Sequence, residues 1–195
     1  ARLAARFFRP VPATIVAVTG TNGKTSTVEM VRQIWRMAGQ RAASIGTLGV
    51  TTADESIATG LTAPDNVTFL ANLAGLAREG VTHVAFEASS HGLSQYRTDG
   101  VPVEAGAFTN LSRDHLDYHR DMDDYFAAKM RLFDEVVSGD GVAVIWADDA
   151  WSDRALGHAR RRGLAILPVG EQADASGIRL AGREDSRFRG HQRRG

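Results

Sequence analysis

Residues 14–25 read TIVAVTGTNGKT, and this stretch decides the fold. Positions 14–19 are apolar or β-branched with no polar alternation, the pattern of a strand buried on both faces of a parallel sheet. Gly20 and Gly23 interrupt it. Residues 24–38 then place Val28, Val31, Ile34, Trp35 and Ala38 at helical spacing, and Gly39 stops the run. Strand, glycine turn and helix in that order can make a phosphate-binding unit. Glycines let successive N–H groups face an anion, and the helix N-terminus adds positive potential. Lys24 suits the β- and γ-phosphates of a nucleotide, and the Thr25 hydroxyl suits a magnesium ion (Mg²⁺). The full phosphate-loop pattern asks for a glycine where this chain has Val18, so the match is to a shorter form, G-x-x-G-K-T. A structural glycine turn is the competing reading.

The alternation continues outward. Strands are predicted over 41–47, 82–88, 105–111, 142–147 and 164–169, and helices over 66–78, 122–137 and 152–162. Residues 50–61 read as polar and irregular. This order predicts an α/β, three-layer, P-loop-type nucleotide-binding domain with a mainly parallel sheet over residues 14–181. Ligands of such sheets lie beyond the C-terminal ends of the strands. Residues 1–13 read as a short helix and linker. Residues 182–195 form a basic tail with five arginines against Glu184 and Asp185, read as disordered or truncated rather than as a nucleic-acid or phospholipid site.

Composition narrows the classes further. The chain has 195 residues, 23 basic and 23 acidic, for a net charge of +0, so no global field points to nucleic acid. Cysteine is absent, which excludes disulfides and thiolate chemistry. No apolar run approaches the roughly 20 residues of a membrane helix. The expectation is a soluble, cytoplasmic monomer without nucleic-acid or membrane partners. Of the 23 basic residues only Lys24 and Lys129 are lysines. Codon bias accounts for arginine on the surface. The two lysines then mark places where a point charge or a deprotonatable amine is needed.

Three further segments carry chemistry. Glu87-Ala88-Ser89-Ser90-His91-Gly92 closes a predicted strand, and its carboxylate suits a hard metal. A turn capped by Ser89 or Ser90 explains it equally well. Residues 109–119, TNLSRDHLDYH, are densely polar. His115 and His119 stand four apart, but no third zinc-type ligand accompanies them, which argues against a zinc site. Lys129 lies among Ala127, Ala128, Met130, Leu132 and Phe133 on a predicted helix. It reads either as a snorkelling side chain or as a desolvated, reactive amine.

Taken together, GTNGKT, EASSHGL (87–93), TNLSRDHLDYH (109–119) and YFAAKMRLF (125–133) resemble the Mur ligase family, ATP-dependent amide ligases of peptidoglycan precursor synthesis. The last three stretches point to the type adding the third peptide residue rather than to cyanophycin or folylpolyglutamate ligases. A non-catalytic nucleotide-binding remnant is a further alternative. The resemblance implies that Gly20, Thr21, Asn22, Gly23, Lys24, Thr25 and Ser26 bind ATP, with Asn110 near the nucleotide. It implies Mg²⁺ at Thr25, Glu87, His115 and an N-carboxylated Lys129, with Lys24, Lys129 and His115 catalytic. Thr62, Ser89, Gln95 and Arg97 would contact the UDP-MurNAc-dipeptide acceptor, to which an amino acid (diaminopimelate or lysine) is joined. Ala63 stands where the family usually has a second threonine. Beyond Trp151 the resemblance fades, and the expectation is a central domain without its two partners, poorly active alone.

Overall fold

The computed structural model describes residues 2–52, 56–57, 65–113, 118–173 and 177–179. Among these, the strands are β1 (Thr14–Thr19), β2 (Ala42–Gly46), β3 (Gly49–Thr51), β4 (Ser56–Ile57), β5 (His83–Glu87), β6 (Val103–Phe108), β7 (Val137–Trp146), β8 (Ala165–Gly170) and β9 (Ile178–Arg179). The helices are α1 (Arg2–Phe7), α2 (Lys24–Met37), α3 (Asn66–Arg78), α4 (Ser90–Ser94), α5 (Met122–Arg131) and α6 (Ser152–Arg162).

The strands form one sheet in the order β4-β3-β2-β5-β1-β6-β7-β8-β9. All pairs from β2 to β9 are parallel, and only β3 and β4 add antiparallel. The chain fills the β2–β5 side first and then crosses to β6, so β1 marks the topological switch point, where α/β sheets bind ligands. Burial along β1 shows why its sequence does not alternate. Ile15 and Ala17 join the large core with Phe69, Leu73, Phe86, Phe126 and Met130. Val16 and Val18 face the other way, into a smaller cluster with Val28, Val31 and Trp35 of α2. The sheet is therefore sandwiched between α2 on one face and α3, α5 and α6 on the other, giving the three expected layers.

The structure departs from the sequence expectation in five places. The helix predicted over 122–137 is α-helical only to Arg131; Leu132–Val136 widens into a π turn. Leu132, Phe133 and Val136 are all buried, and Gly106 of β6 leaves room for the turn: a Cβ there would lie 2.8 Å from Val137 and 3.1 Å from Leu132. β7 starts at Val137 rather than at 142, because Val137 pairs with Val103 before a register irregularity. Gly139-Asp140-Gly141 is carried in that irregular part of the strand. Residues 50–61, read as irregular, supply parts of β3 and all of β4. α4 was hidden inside a segment read as a turn. The N-terminal residues also do more than link: Ala5 of α1 is 7% exposed and belongs to the core.

One buried polar network ties α2 to the sheet. Arg32, 7% exposed, donates to Glu29 Oε2 through Nε (3.1 Å) and Nη2 (2.8 Å), and through Nη1 to the Thr52 carbonyl (3.2 Å). Ser44 of β2 donates to Glu29 Oε1. Burial opposes ionisation of Glu29, but the hydrogen bonds from Arg32 and Ser44 and the Arg32 charge outweigh it, so its carboxyl titrates below the usual 4.5. A depressed folded-state value stabilises the fold above the unfolded value and is lost as pH falls. Melting temperature should therefore decline as pH drops below about 4.5. Arg32→Met should cost about 1–3 kcal/mol at pH 7, and its deficit should shrink in acid. A pH series of thermal melts on both proteins checks this.

Candidate functional site

The site is built where β1, β5 and β6 end. β1 runs into Gly20 and Gly23, both at positive φ (146° and 85°). The Gly20 conformation brings the loop against β6's exit: a Cβ there would sit 2.0 Å from Thr109 Oγ1. Residues 109–112 hold the loop from the side. Thr21 N–H donates to the Asn110 carbonyl (2.9 Å), and Thr109 Oγ1 donates to the Asn22 carbonyl (2.7 Å). The Asn110 amide accepts from Asn22 N–H (3.0 Å) and donates to the Asn22 carbonyl (3.1 Å). Ser112 N–H donates to Thr21 Oγ1 (3.0 Å). This explains the polar density of that segment better than any single ligand does. Asn110 lies beside the loop, with both ends of its amide engaged in holding it.

Side chains cap α3, α4 and α5, through Asp65, Ser89 and Asp121. No side chain caps α2, whose N-cap is Gly23. The positive end of the helix dipole stands at this turn. Ser26 is exposed on that first turn.

Two lysines meet on one oxygen. Lys24 Nζ donates to the carbonyls of Gly20 (3.0 Å) and Thr21 (2.8 Å). Lys129 reaches the same Gly20 oxygen from α5, at 2.7 Å, and is 1% exposed. Its Nζ lies 4.4 Å from the centre of the Tyr125 ring, whose hydroxyl is 3.3 Å from Thr21 Oγ1. Lys129 is not a snorkelling side chain: its amine is inside the molecule, against the phosphate loop.

On the other flank, Thr25 Oγ1 donates to Glu87 Oε1 (2.9 Å). Glu87 is 3% exposed and also accepts from Thr47 N–H (2.8 Å) and Thr47 Oγ1 (3.2 Å). A Cβ on Gly46 would lie 2.1 Å from Glu87 Oε1. Gly46 and Thr47 are neighbours of Glu87 that the sequence reading did not single out; they close the strand predicted over 41–47. The Thr25 and Glu87 oxygens are the hard donors that Mg²⁺ selects, and Mg²⁺ commonly binds one or two carboxylates plus phosphates and water. These residues fit the ion. His115 lies outside the described residues, and among the described residues no three His, Cys, Asp or Glu side chains group as a metal site. His119 is buried, with Nδ1 3.4 Å from Asp124 Oδ2.

The expected acceptor residues gather beside α4. Ser89 caps the helix, its Oγ accepting from Gly92 N–H (3.0 Å), so the capping and binding readings apply to one residue. Gln95 Nε2 donates to the Tyr118 hydroxyl (3.0 Å), and Arg97 Nη2 donates to Gln95 Oε1 (2.5 Å). Hydrogen bonds from Ser94 and Gln95 hold the exposed Tyr118 hydroxyl below its usual titration range. Thr62 lies outside the described residues. A cavity of about 440 Å³ adjoins the loop, lined in part by Asn22, Gly23, Asn110 and Trp146.

A glycine loop and a helix without a side-chain cap stand at the switch point of a parallel sheet, the architecture of an α/β domain of the P-loop type. Residues 18–192 match the Mur ligase middle domain family, and the chain belongs to that family. It is 58% identical over 184 residues to the UDP-N-acetylmuramoyl-L-alanyl-D-glutamate–2,6-diaminopimelate ligase of Zymomonas mobilis, covering 94% of this chain and 37% of that protein. A ligase of the same name from Agrobacterium fabrum is 58% identical over 167 residues, covering 86% of this chain and 34% of that one. A solved structure bearing that ligase name superposes with a TM-score of 0.75 at 36% identity, over 85% of this chain and 33% of the other. A Mycobacterium tuberculosis folylpolyglutamate synthase complexed with ADP shares the fold, with a TM-score of 0.68 at 18% identity, over 86% of this chain and 44% of that one. The chain thus spans a little over a third of the length of the curated ligases it matches. No described helix is long and apolar enough to cross a membrane.

Gly46→Ala should press on Glu87 and disturb its bond to Thr25. Overpacking of this kind costs about 1–3 kcal/mol. Urea unfolding measures the cost, and a crystal structure of the variant should show the Glu87 carboxylate displaced.

Proposed function

We propose that this chain is the ATP-binding part of a ligase that joins 2,6-diaminopimelate to UDP-MurNAc-L-Ala-D-Glu in cytoplasmic peptidoglycan precursor synthesis. The observation that carries this reading is the convergence of Lys24 and Lys129 on the Gly20 carbonyl, inside a loop bordered by Glu87. The names of the relatives supply the acceptor and the amino acid.

In this reading the loop N–H groups and Lys24 hold the β- and γ-phosphates of ATP. Thr25 and Glu87 hold Mg²⁺, which supplies charge neutralisation at the phosphates. Gln95 and Arg97 orient the acceptor, Arg97 suiting a carboxylate or pyrophosphate. An acceptor carboxylate oxygen bonds to the γ-phosphorus as the bond to the ADP oxygen breaks, giving an acyl phosphate and ADP. The amino group of diaminopimelate then bonds to the acyl carbon, inorganic phosphate leaves, and the amine gives up a proton. The protein's part is positioning and electrostatics.

Lys129 enters as an N-carboxylate: its neutral amine adds CO₂ and releases a proton. Burial is the condition that most favours the neutral amine. The resulting anion would stand beside the glycine loop that Lys129 already reaches, and would help hold the metal. Arginine, which stays protonated, cannot take this role.

Calorimetry with Mg-ATP tests the nucleotide site. Lys24→Ala should weaken binding by about 10- to 100-fold, the worth of a charge-assisted contact. Equal affinity in parent and variant, or none in either, would sink the reading. A second measurement addresses Lys129: protein equilibrated with ¹³C-bicarbonate should show a carbamate resonance that Lys129→Arg removes.

A further inference from the structure

We infer that Arg131 is a positioning residue for acceptor recognition, holding the segment 93–99 that presents Gln95 and Arg97; this rests on the acceptor reading above. The segment has a conformation that needs support. α4 ends at Ser94, and Tyr96 has φ of 57°, a left-handed backbone in a residue that is not glycine. Such a backbone persists only where its surroundings hold it. Arg131 fixes this one at three points. Its guanidinium stacks on the Tyr96 ring, 3.9 Å from the centre. Nη1 donates to the Leu93 carbonyl, before the turn. Nη2 lies 3.4 Å from Asp99 Oδ2, after it, and donates to Glu135 Oε2 at 2.6 Å, which anchors the arginine to its own helix. The stacked, forked geometry is specific to arginine.

The left-handed residue sits between Gln95 and Arg97, so it sets how both are presented. The Arg97 N–H donates to the Gly92 carbonyl (2.8 Å), closing the turn. Asn66 Nδ2 donates to the carbonyls of Arg97 (3.1 Å) and Asp99 (2.9 Å), holding the far side. The Arg97–Gln95–Tyr118 hydrogen-bond chain then extends across the front. Arg131 lies two residues from Lys129. One helix therefore carries the amine that reaches the phosphate loop and the guanidinium that sets the acceptor arm. α5 in this way ties the segment 93–99 to the glycine loop.

The test is an NMR titration of the chain with UDP-MurNAc-L-Ala-D-Glu, paired with Mg-ATP calorimetry, on the parent, Arg131→Met, Tyr96→Ala and Tyr96→Phe. Arg131→Met should weaken acceptor binding by about 10-fold and leave ATP affinity within about 2-fold. A merely structural role would lower both affinities together, and that result overturns the proposal, as does unchanged acceptor binding. Should Arg131→Met fail to fold, the Tyr96 pair decides: Tyr96→Ala should weaken the acceptor several-fold, and Tyr96→Phe, which restores the ring, should recover it. Equal acceptor affinity in that pair overturns the proposal. A parent chain that binds ATP but not the acceptor overturns the preset arm and leaves the nucleotide site standing. A parent that binds neither overturns the ligase reading as well.

Discussion

The carbonyl oxygen of Gly20 accepts from both lysines of the chain, at 3.0 and 2.7 Å, and the rest of the site is arranged around that meeting. Lys24 opens α2 on one face of the sheet. Lys129 comes from α5 on the other. They meet only because β1 ends between the two layers and Gly20 turns its carbonyl at a φ that an L side chain rarely adopts. The same turn needs Thr109 at a distance that leaves no room for a Cβ. In a chain with 21 arginines, the meeting of both lysines on one carbonyl oxygen sets them apart in a way that codon usage does not.

Much of this was legible in the residues. The uninterrupted apolar run 14–19 announced a strand covered on both faces, and Val16 and Val18 do pack opposite to Ile15 and Ala17. The helical spacings after Gly23 and before Gly80 gave α2 and α3 nearly to the residue. What periodicity cannot show is which loops meet. Thr47 and Gly46 flank Glu87 because β2 pairs with β5, a contact 40 residues apart in sequence. Tyr125 reads as a core aromatic, and it is one; its hydroxyl also touches Thr21. The π turn after Arg131 was invisible for the same reason. An extra residue per turn is chosen by the fit of Leu132 and Val137 over Gly106, not by local preference.

The polar residues near the loop divide into two kinds. Thr109 and Asn110 spend side-chain hydrogen bonds on the loop backbone, and the Ser112 N–H donates to the Thr21 hydroxyl, making a rigid frame from segments that have no regular structure. Gln95 and Arg97 instead bond to each other and to Tyr118 at the surface. A frame of side-chain-to-backbone bonds costs no flexibility when a ligand arrives, because its geometry is already fixed. An exposed chain of side chains can exchange its internal bonds for bonds to an anion at little net loss. In the function proposed above, the first kind serves as a phosphate cradle that must not move and the second as an acceptor arm that must engage and release.

The capping pattern turns this division into a preference for charge. α3, α4 and α5 have their first N–H groups covered by Asp65, Ser89 and Asp121, two of them carboxylates. Each of those N-termini is already matched to its own acceptor. The start of α2 has a glycine instead and is bordered by the Lys24 ammonium. A capping carboxylate at position 23 would satisfy the same N–H groups and compete with any phosphate for them. It would also place a negative charge where the phosphates of a nucleotide must sit. Glycine at the cap leaves the N–H groups available and supplies the positive φ of the turn in one residue. The carboxylate that the site does contain, Glu87, is held back on β5 by Thr47 and Thr25. There it can meet a cation without occupying the anion's place.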